Sequence, residues 1–375
     1  MITDRPKYAL AVLVVTLIAL FFYGRIDYEN PKYSAWDLHH YRAMARSVPA
    51  LNEHAGQPFM YRIFGPYIAG ILPLTTDSSF LLLSSLSAVV LSILFYYYLC
   101  YLTIAPSVAA FTTILFILNK SLFGFPVWNY FHLDDILSQI EVVILMWLMM
   151  KRRWSAFGVV LFFGSLTRET PLTMIPVAFV FAYDEHCLKD SWQAFLVGAI
   201  AALIPAILLR LLLHSHQGDD LIHALLTNSD KLTRPEIWVR LLINSFIPFS
   251  FVPLVFFRYT RDFFRSRRYA IVYLVLVVFS TFFGTNNERL MAPAFIIFFP
   301  LLAGIIRDHL SQSHIMMMLL MGGAIVSNLN HMNARFPVPK ELVIVLSVSA
   351  LVTVTAAAWY YSKRGHPESL ARSGE

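Results

Sequence analysis

The sequence predicts an all-α fold, a polytopic transmembrane helical bundle of about 12 helices, and three observations carry that expectation. Of 375 residues, 58% are hydrophobic and only 14% charged, against about 25% charged in soluble globular proteins; mean hydropathy is +0.62. The apolar residues gather in unbroken runs, at 8–23, 80–102, 136–150, 192–213, 269–283 and 342–361. Most of these runs approach the length that crosses about 30 Å of hydrocarbon as a helix. Lipid offers the backbone no hydrogen-bond partners, so helices or a closed barrel are required, and continuous rather than alternating apolarity selects helices. Basic residues punctuate the ends of the runs, as the positive-inside bias requires.

Taken in chain order, helices are expected over 8–23, 80–102, 106–118, 134–150, 154–167, 171–183, 192–213, 241–257, 269–284, 290–306, 314–328 and 341–361. The first follows Arg5 and Lys7 like a signal sequence, but no small-residue cleavage site comes after it, so it reads as a retained helix. With the N-terminus inside, the cytoplasmic side receives Lys151-Arg152-Arg153, Lys189, the five arginines between Arg258 and Arg268, Arg307, and the tail residues Lys363, Arg364 and Arg372. Residues 1–375 then form a single integral membrane domain, with 24–77 as the first outer loop and 362–375 as a cytoplasmic tail. The net charge of +6 belongs to this sidedness, since no basic domain exists to hold nucleic acid. Cys100 and Cys187 offer neither a disulfide framework nor metal-ligand spacing. The chain carries no internal repeat and no low-complexity segment.

Two outer segments, 24–77 and 214–240, are long enough to fold on the membrane surface. In the first, Ser34 and Asp37 are spaced as a capping box, and Tyr41, Met44, Val48 and Leu51 follow as one apolar stripe, which describes an amphipathic interfacial helix. The run 59–74 is apolar but interrupted by Arg62, Gly65, Pro66 and Pro73, so it is expected as a second juxtamembrane helix rather than a span.

Ionisable side chains beside apolar helices are costly and mark a site facing the bundle interior. Asp37, Arg62, His132, Asp134, Asp135, Arg168, Glu169, Arg210, Glu288 and Arg289 all map to outer helix ends or outer loops. Each has a structural reading beside a functional one. Asp37 could serve only the capping box, or, with His39, His40 and Tyr41 beside it, act as a general base. Asp134 and Asp135 could merely complement a helix dipole. However, Asp134, Ser138 and Glu141 recur at i, i+4 and i+7, a polar stripe about 10 Å long that lipid would not tolerate. With His132 nearby, Asp134 and Asp135 are the oxygen ligands that a divalent cation would use, the one cofactor the pattern admits. Thr170 and Pro171 suit a helix start, leaving Arg168 and Glu169 at the outer face, where an arginine pairs with a phosphate or with its neighbour. Glu288 fits a second capping box with Thr285, whereas Arg289 at a helix N-terminus needs an anionic partner.

In this order and common sidedness, WDLHHYRAMA, QPFMYRIFGPYIAGILP, YFHLDD, LTRETPLTMIP and NNERLMAPAF resemble the GT-C superfamily. These are multi-helix glycosyltransferases that use polyprenyl-phosphate-linked sugars. The resemblance covers the first three hundred or so residues and implies a glycosyltransferase of the hexosyltransferase type, placed in a bacterial inner (plasma) membrane with its active site on the outer face. It makes Asp37 the match for the catalytic aspartate of the first outer loop, and Asp134 or Asp135 the match for the acid of the second. It further makes Arg62, Arg168 and Arg289 candidates for the lipid phosphate, with His40, Tyr41, His132, Glu169 and Glu288 around the substrate. The implied partners are the donor lipid and a glycan, lipid or protein acceptor. Trp36, Tyr61, Trp128 and Tyr130 could stack on sugar rings, or form an interfacial belt. The chain departs from larger members in showing no C-terminal soluble domain within these residues and no WWD-type motif. The rivals are a surface-polysaccharide polymerase or ligase, whose key residues usually lie in one large outer loop, and a secondary transporter, which concentrates ionisable residues and broken helices at the midplane of inverted repeats.

Overall fold

The computed structural model describes residues 4–34, 36–52, 55–56, 58–213, 231, 233–284, 286–329 and 338–364. Among them the chain is helical throughout, with no strand. Its principal helices are α1 (Arg5–Tyr23), α2 (Leu38–Ser47), α3 (Phe64–Ile71), α4 (Thr76–Tyr101), α5 (Pro106–Ile117), α6 (Leu133–Met150), α7 (Trp154–Thr167) and α8 (Met174–Asp184). They are followed by α9 (Leu188–Leu212), α10 (Pro235–Leu242), α11 (Phe257–Arg265), α12 (Arg268–Ser280), α13 (Phe295–Ile305), α14 (His314–Asn328) and α15 (Lys340–Arg364). Five helical stretches are long and apolar enough to cross a membrane, 5–23, 76–101, 192–212, 287–310 and 340–363. A sixth results if α5 and the segment 120–128, bent by 65° from each other, make one span.

Large apolar side chains on the outside of the bundle are bare, including Leu10, Val14 and Leu17 on α1, Val197, Ile204 and Ile207 on α9, and Val345, Val348 and Val352 on α15. An aqueous surface would not carry so continuous an apolar belt. The interior is an aromatic and aliphatic core in which the Phe116 ring lies 4.7 Å from Phe295, and Phe95 is 5.1 Å from the same ring. Where helices pass closest, glycine makes room: a Cβ on Gly158 of α7 would sit 2.5 Å from the Gly198 Cα of α9.

Contacts at helix ends sort the bundle into two poles. At one, the Tyr96 hydroxyl of α4 donates to the Arg5 carbonyl, Arg152 pairs with Glu185 at 2.8 Å, Arg268 with Asp184 at 3.7 Å, and Lys151 sits over the Tyr101 and Trp147 rings. At the other, the Tyr23 hydroxyl donates to the Ile117 carbonyl at 2.7 Å and accepts from Asn328 Nδ2 at 2.6 Å, which draws the ends of α1, α5 and α14 together. The Arg5 pole carries exposed basic residues; the Tyr23 pole carries the buried mixture of acids and bases.

Two expectations about elements are corrected. The helix expected over 241–257 is broken into the end of α10, a turn at Asn244–Phe246, a short helix at Val252–Val255 and the start of α11. Pro248 and Pro253 lie in this stretch, where proline removes backbone donors that a continuous helix needs. The helix start expected at Ser34 is displaced: Pro31–Ser34 is itself a helical turn, and α2 begins only at Leu38 with Asp37 at its N-cap position. Much of the outer segment 214–240 lies outside the described residues. The run 59–74 is a turn at Phe59–Tyr61 followed by α3, too short to span.

Candidate functional site

The Tyr23 pole is where the first turn of α6 meets the ends of α7 and α9, the loop before α3 and the start of the helical stretch 287–310. Each contributes charge. Asp135, 5% exposed, is bridged by Arg168, and its other oxygen lies 3.4 Å from Arg289 Nε. Arg168 reaches it because the backbone leaves α7 in a fully extended conformation at that residue. Thr167, one residue earlier, is tied by a 2.6 Å hydrogen bond to Glu141 on α6. Arg289 also donates to the His132 ring, at 2.9 Å to Nε2. Burial, then Arg289, Arg168 and Arg62, hold His132 well below the usual histidine range, so its ring is a neutral acceptor. Arg289 therefore has its anionic partner, and that partner is Asp135.

Asp134 lies differently. It is 1% exposed, and the Tyr41 hydroxyl is the hydrogen-bonding neighbour of its carboxylate. Gly65 of α3 passes so close that a Cβ there would fall 2.4 Å from Asp134 Oδ1, which explains a glycine at that position. Tyr41 and Arg62 are its electrostatic neighbours. Ser138 and Glu141 continue the stripe, both buried, so the face that lipid would not tolerate is turned into the bundle.

Towards the surface, Glu169 divides its two oxygens between Arg62 Nη2 at 3.1 Å and Arg210 Nη2 at 3.4 Å. Partial desolvation would raise the Glu169 carboxyl, but Arg62, its own backbone, Arg168 and Arg210 outweigh it and hold it below the usual carboxylate range. The Arg210 guanidinium lies over the Tyr61 ring, 4.8 Å from its centre. Arg210 joins this group across 41 positions of sequence; a cation placed inside an apolar run was the available signal.

Asp37 is half-buried at the start of α2, and its side chain makes no capping hydrogen bond. Tyr28, His40, Tyr41 and Arg289 all feel its charge. His40 accepts from the Gly56 backbone N–H at 3.0 Å and stacks on Phe59, so it braces the loop. Burial, then His39, lower its pKa, against the opposing effect of Asp37. Glu288 pairs with Arg240 at 4.0 Å and acts on Lys120. Thr285, its expected capping partner, lies outside the described residues; Asn286 takes the cap, accepting from the Arg289 N–H at 3.1 Å. Trp36 and Trp128 pack edge to face with Tyr33, Tyr61 lies under Arg210, and Tyr130 packs on Phe131.

Thus Asp37, Tyr41, Arg62, His132, Asp134, Asp135, Arg168, Glu169 and Arg289 come together, whereas His40 and Glu288 sit to the side. A divalent cation fits the group poorly: Asp135 is taken by two arginines, and the described residues contain no cluster of three or more His, Cys, Asp or Glu that could hold a metal. A groove of about 430 Å³ between α7 and α9, lined by Val159, Phe162, Val197 and Ala201 among others, lies apart from this chemistry. No family model matches the chain, and neither does any curated protein or any solved structure.

Proposed function

We propose that the chain is a membrane glycosyltransferase that moves a sugar, with inversion, from a polyprenyl-phosphate-linked donor to an acceptor hydroxyl. In this reading the bundle crosses a bacterial inner membrane about twelve times, counting broken passes. The basic Arg5 pole is cytoplasmic and the Tyr23 pole lies outside. The observation that carries the reading is the convergence at one pole of a half-exposed carboxylate, Asp37, with a second acidic pair and several arginines from distant parts of the chain. Such a group is expensive at a membrane face unless it serves a charged ligand. The donor's lipid tail would keep the reaction there.

The chemistry needs a base, a cationic environment and little else. Asp37 takes the proton of the acceptor hydroxyl as that oxygen bonds to the anomeric carbon. The bond from the same carbon to the phosphate oxygen breaks, and its electron pair leaves on polyprenyl phosphate. Phosphate needs no proton to depart, so the positive charge of Arg62, with the through-space field of Arg168 and Arg289 beside their counter-ion Asp135, suffices to stabilise it. Asp37 is free for this role because its side chain does not cap α2.

Asp37→Asn tests the reading, since asparagine keeps size and hydrogen bonding while deleting the basic group. Sugar transfer from a synthetic polyprenyl-phosphate donor in liposomes should fall by about two or more decades. Thermal unfolding of the same preparations should barely move. Near-normal transfer by the variant would remove Asp37 from the mechanism.

A further inference from the structure

At the Arg5 pole, the opposite end of the bundle from Asp37 and Asp135, helix α11 carries a charge pattern that the proposed reaction does not use. Its sequence FRYTRDFFR sets Arg258, Arg261 and Arg265 three and four residues apart, on one side of the helix, and all three are exposed. The other side fixes the helix to the bundle. Tyr259 lies edge to face with His309, and its hydroxyl fills the space that Gly304 of α13 leaves; Phe256 stacks on His309 at 4.9 Å, and Phe263 and Phe264 pack against the core. Thr260 Oγ1 donates to the Pro253 carbonyl at 2.7 Å, which ties α11 to the turn before it. The arginine row is thus held in place rather than strung along a loose loop. Asp262 is the one acid in α11, and Arg261 takes it at 3.1 Å. No acid among the described residues pairs with Arg258 or Arg265.

We propose that this face of α11 is a docking surface for the anionic headgroups of the lipid leaflet at the Arg5 pole. The occupant is lipid rather than an acidic protein because of what borders the arginines. Phe257 lies about 40° around the helix from Arg261, and it and Leu254, in the short helix just before, are 61% and 63% exposed. An acidic protein would satisfy the arginines and leave these two side chains in water. A leaflet takes both, with anionic headgroups at the guanidiniums and acyl chains at the apolar flank. The level also fits: Ile271 and Val275 of α12 are bare, so the apolar belt comes within a helical turn of Arg268, and the headgroup layer falls at α11. Keeping positive charge on one side of a membrane needs no fixed geometry. A rigid row of arginines with an apolar edge is the geometry of an interfacial helix.

The docking surface does not depend on the proposed reaction, and its test requires no turnover. Binding of fluorescent phosphatidylglycerol, relative to phosphatidylcholine with the same chains, would be measured on the purified full chain in neutral detergent. The variants are the double change Arg258→Gln with Arg265→Gln, Phe257→Ser, and Arg153→Gln, which removes an exposed cation of the same pole outside α11. A basic residue near an anionic lipid surface contributes about fivefold, so the double variant should lose about twenty-five-fold of the preference for phosphatidylglycerol. Arg153→Gln should lose far less than either arginine does, and raised salt should shrink the difference between parent and double variant. Thermal unfolding without phosphatidylglycerol should be the same for all, since every substituted side chain is exposed. Phe257→Ser should weaken lipid binding, and soluble polyglutamate should compete poorly, charge for charge. A double variant that keeps the parent's preference, or an equal loss per charge at Arg153, overturns the docking surface. Competition by polyglutamate as strong as by lipid, or unchanged lipid binding by Phe257→Ser, overturns lipid as the occupant in favour of an acidic protein.

Discussion

Asp135→Asn isolates what holds the candidate site together. The carboxylate lies between Arg168, with which it is in direct contact, and Arg289, whose Nε is 3.4 Å away; side-chain exposures are 5%, 9% and 15% respectively. At an effective dielectric constant of about 20, opposite unit charges at that separation attract by about 5 kcal/mol before desolvation is subtracted. Asparagine preserves the shape but leaves two guanidiniums facing each other without a counter-ion. Breaking a buried pair in this way costs about 3–5 kcal/mol. Equilibrium unfolding in mixed micelles, followed by tryptophan fluorescence, should register a loss of that order. The double variant Asp135→Asn with Arg289→Gln should recover part of it, because one of the two orphaned cations is then gone. A single variant within about 0.5 kcal/mol of the parent, the range of an ordinary surface substitution, would show that solvent reaches this group and that the buried triad is not what organises the pole.

Two further outcomes follow from packing and titration. Gly158→Ala places a methyl group 2.5 Å from the Gly198 Cα and should destabilise the α7–α9 crossing by about 1–3 kcal/mol. Gly322→Ala on α14, where a Cβ meets nothing within 4 Å, should be neutral or stabilising by up to about 1 kcal/mol; equal effects in the two unfolding curves would refute the crossing geometry. His132 has its pKa held down in the folded chain by burial, then by Arg289, Arg168 and Arg62. Below about pH 6.5 the unfolded chain therefore binds a proton that the folded chain refuses, and stability falls with pH by up to about 1.4 kcal/mol per unit from this residue alone. Unfolding at pH 7.5, 6.5 and 5.5 should show a shallower acid limb for His132→Gln, and superimposable slopes would exclude His132 as its source.

The sequence was legible where one rule acted alone. Trp154–Thr167 and His314–Asn328 fall on their expected bounds, and α6 begins one residue early, because in each case a long apolar run ends at polar or glycine-poor punctuation with nothing to compete. It was misleading where two rules competed. The residues after Leu242 are apolar enough for a span, yet prolines at 248 and 253 divide them, and the arginine-rich stretch after them, read as a loop, is the helix α11 with its arginines outward. Ser34 and Asp37 have the spacing of a capping box, but the backbone at Ser34 belongs to the helical turn that precedes α2. The membership of the polar cluster could be read from sidedness and cost in lipid. Its pairing could not, because Arg62 to Glu169 and Arg210 to Glu169 are contacts over 107 and 41 positions, fixed by how helices pack and not by local spacing.

That pairing separates two acids that sequence alone leaves equivalent. Asp134 and Asp135 are adjacent, so they point about 100° apart around α6. Asp135 meets the ends of α7 and of the 287–310 stretch, and its charge is matched twice over by arginine. Asp134 points instead towards α3, where Gly65 admits it and Tyr41, not an arginine, is its hydrogen-bonding neighbour. A buried carboxylate with so few partners is a persistent cost, since hydrogen-bond partners are what make burial of such a group tolerable. Asp135 accounts for its own presence as the counter-ion that lets Arg168 and Arg289 be buried. Asp134 does not, and within the proposed reaction it is the acid of the pair left with acceptor capacity for a donor sugar's hydroxyls. On the proposed reading the structural demand falls on Asp135 and the ligand-facing one on Asp134, and a stability screen and a transfer assay should then rank the two positions in opposite order.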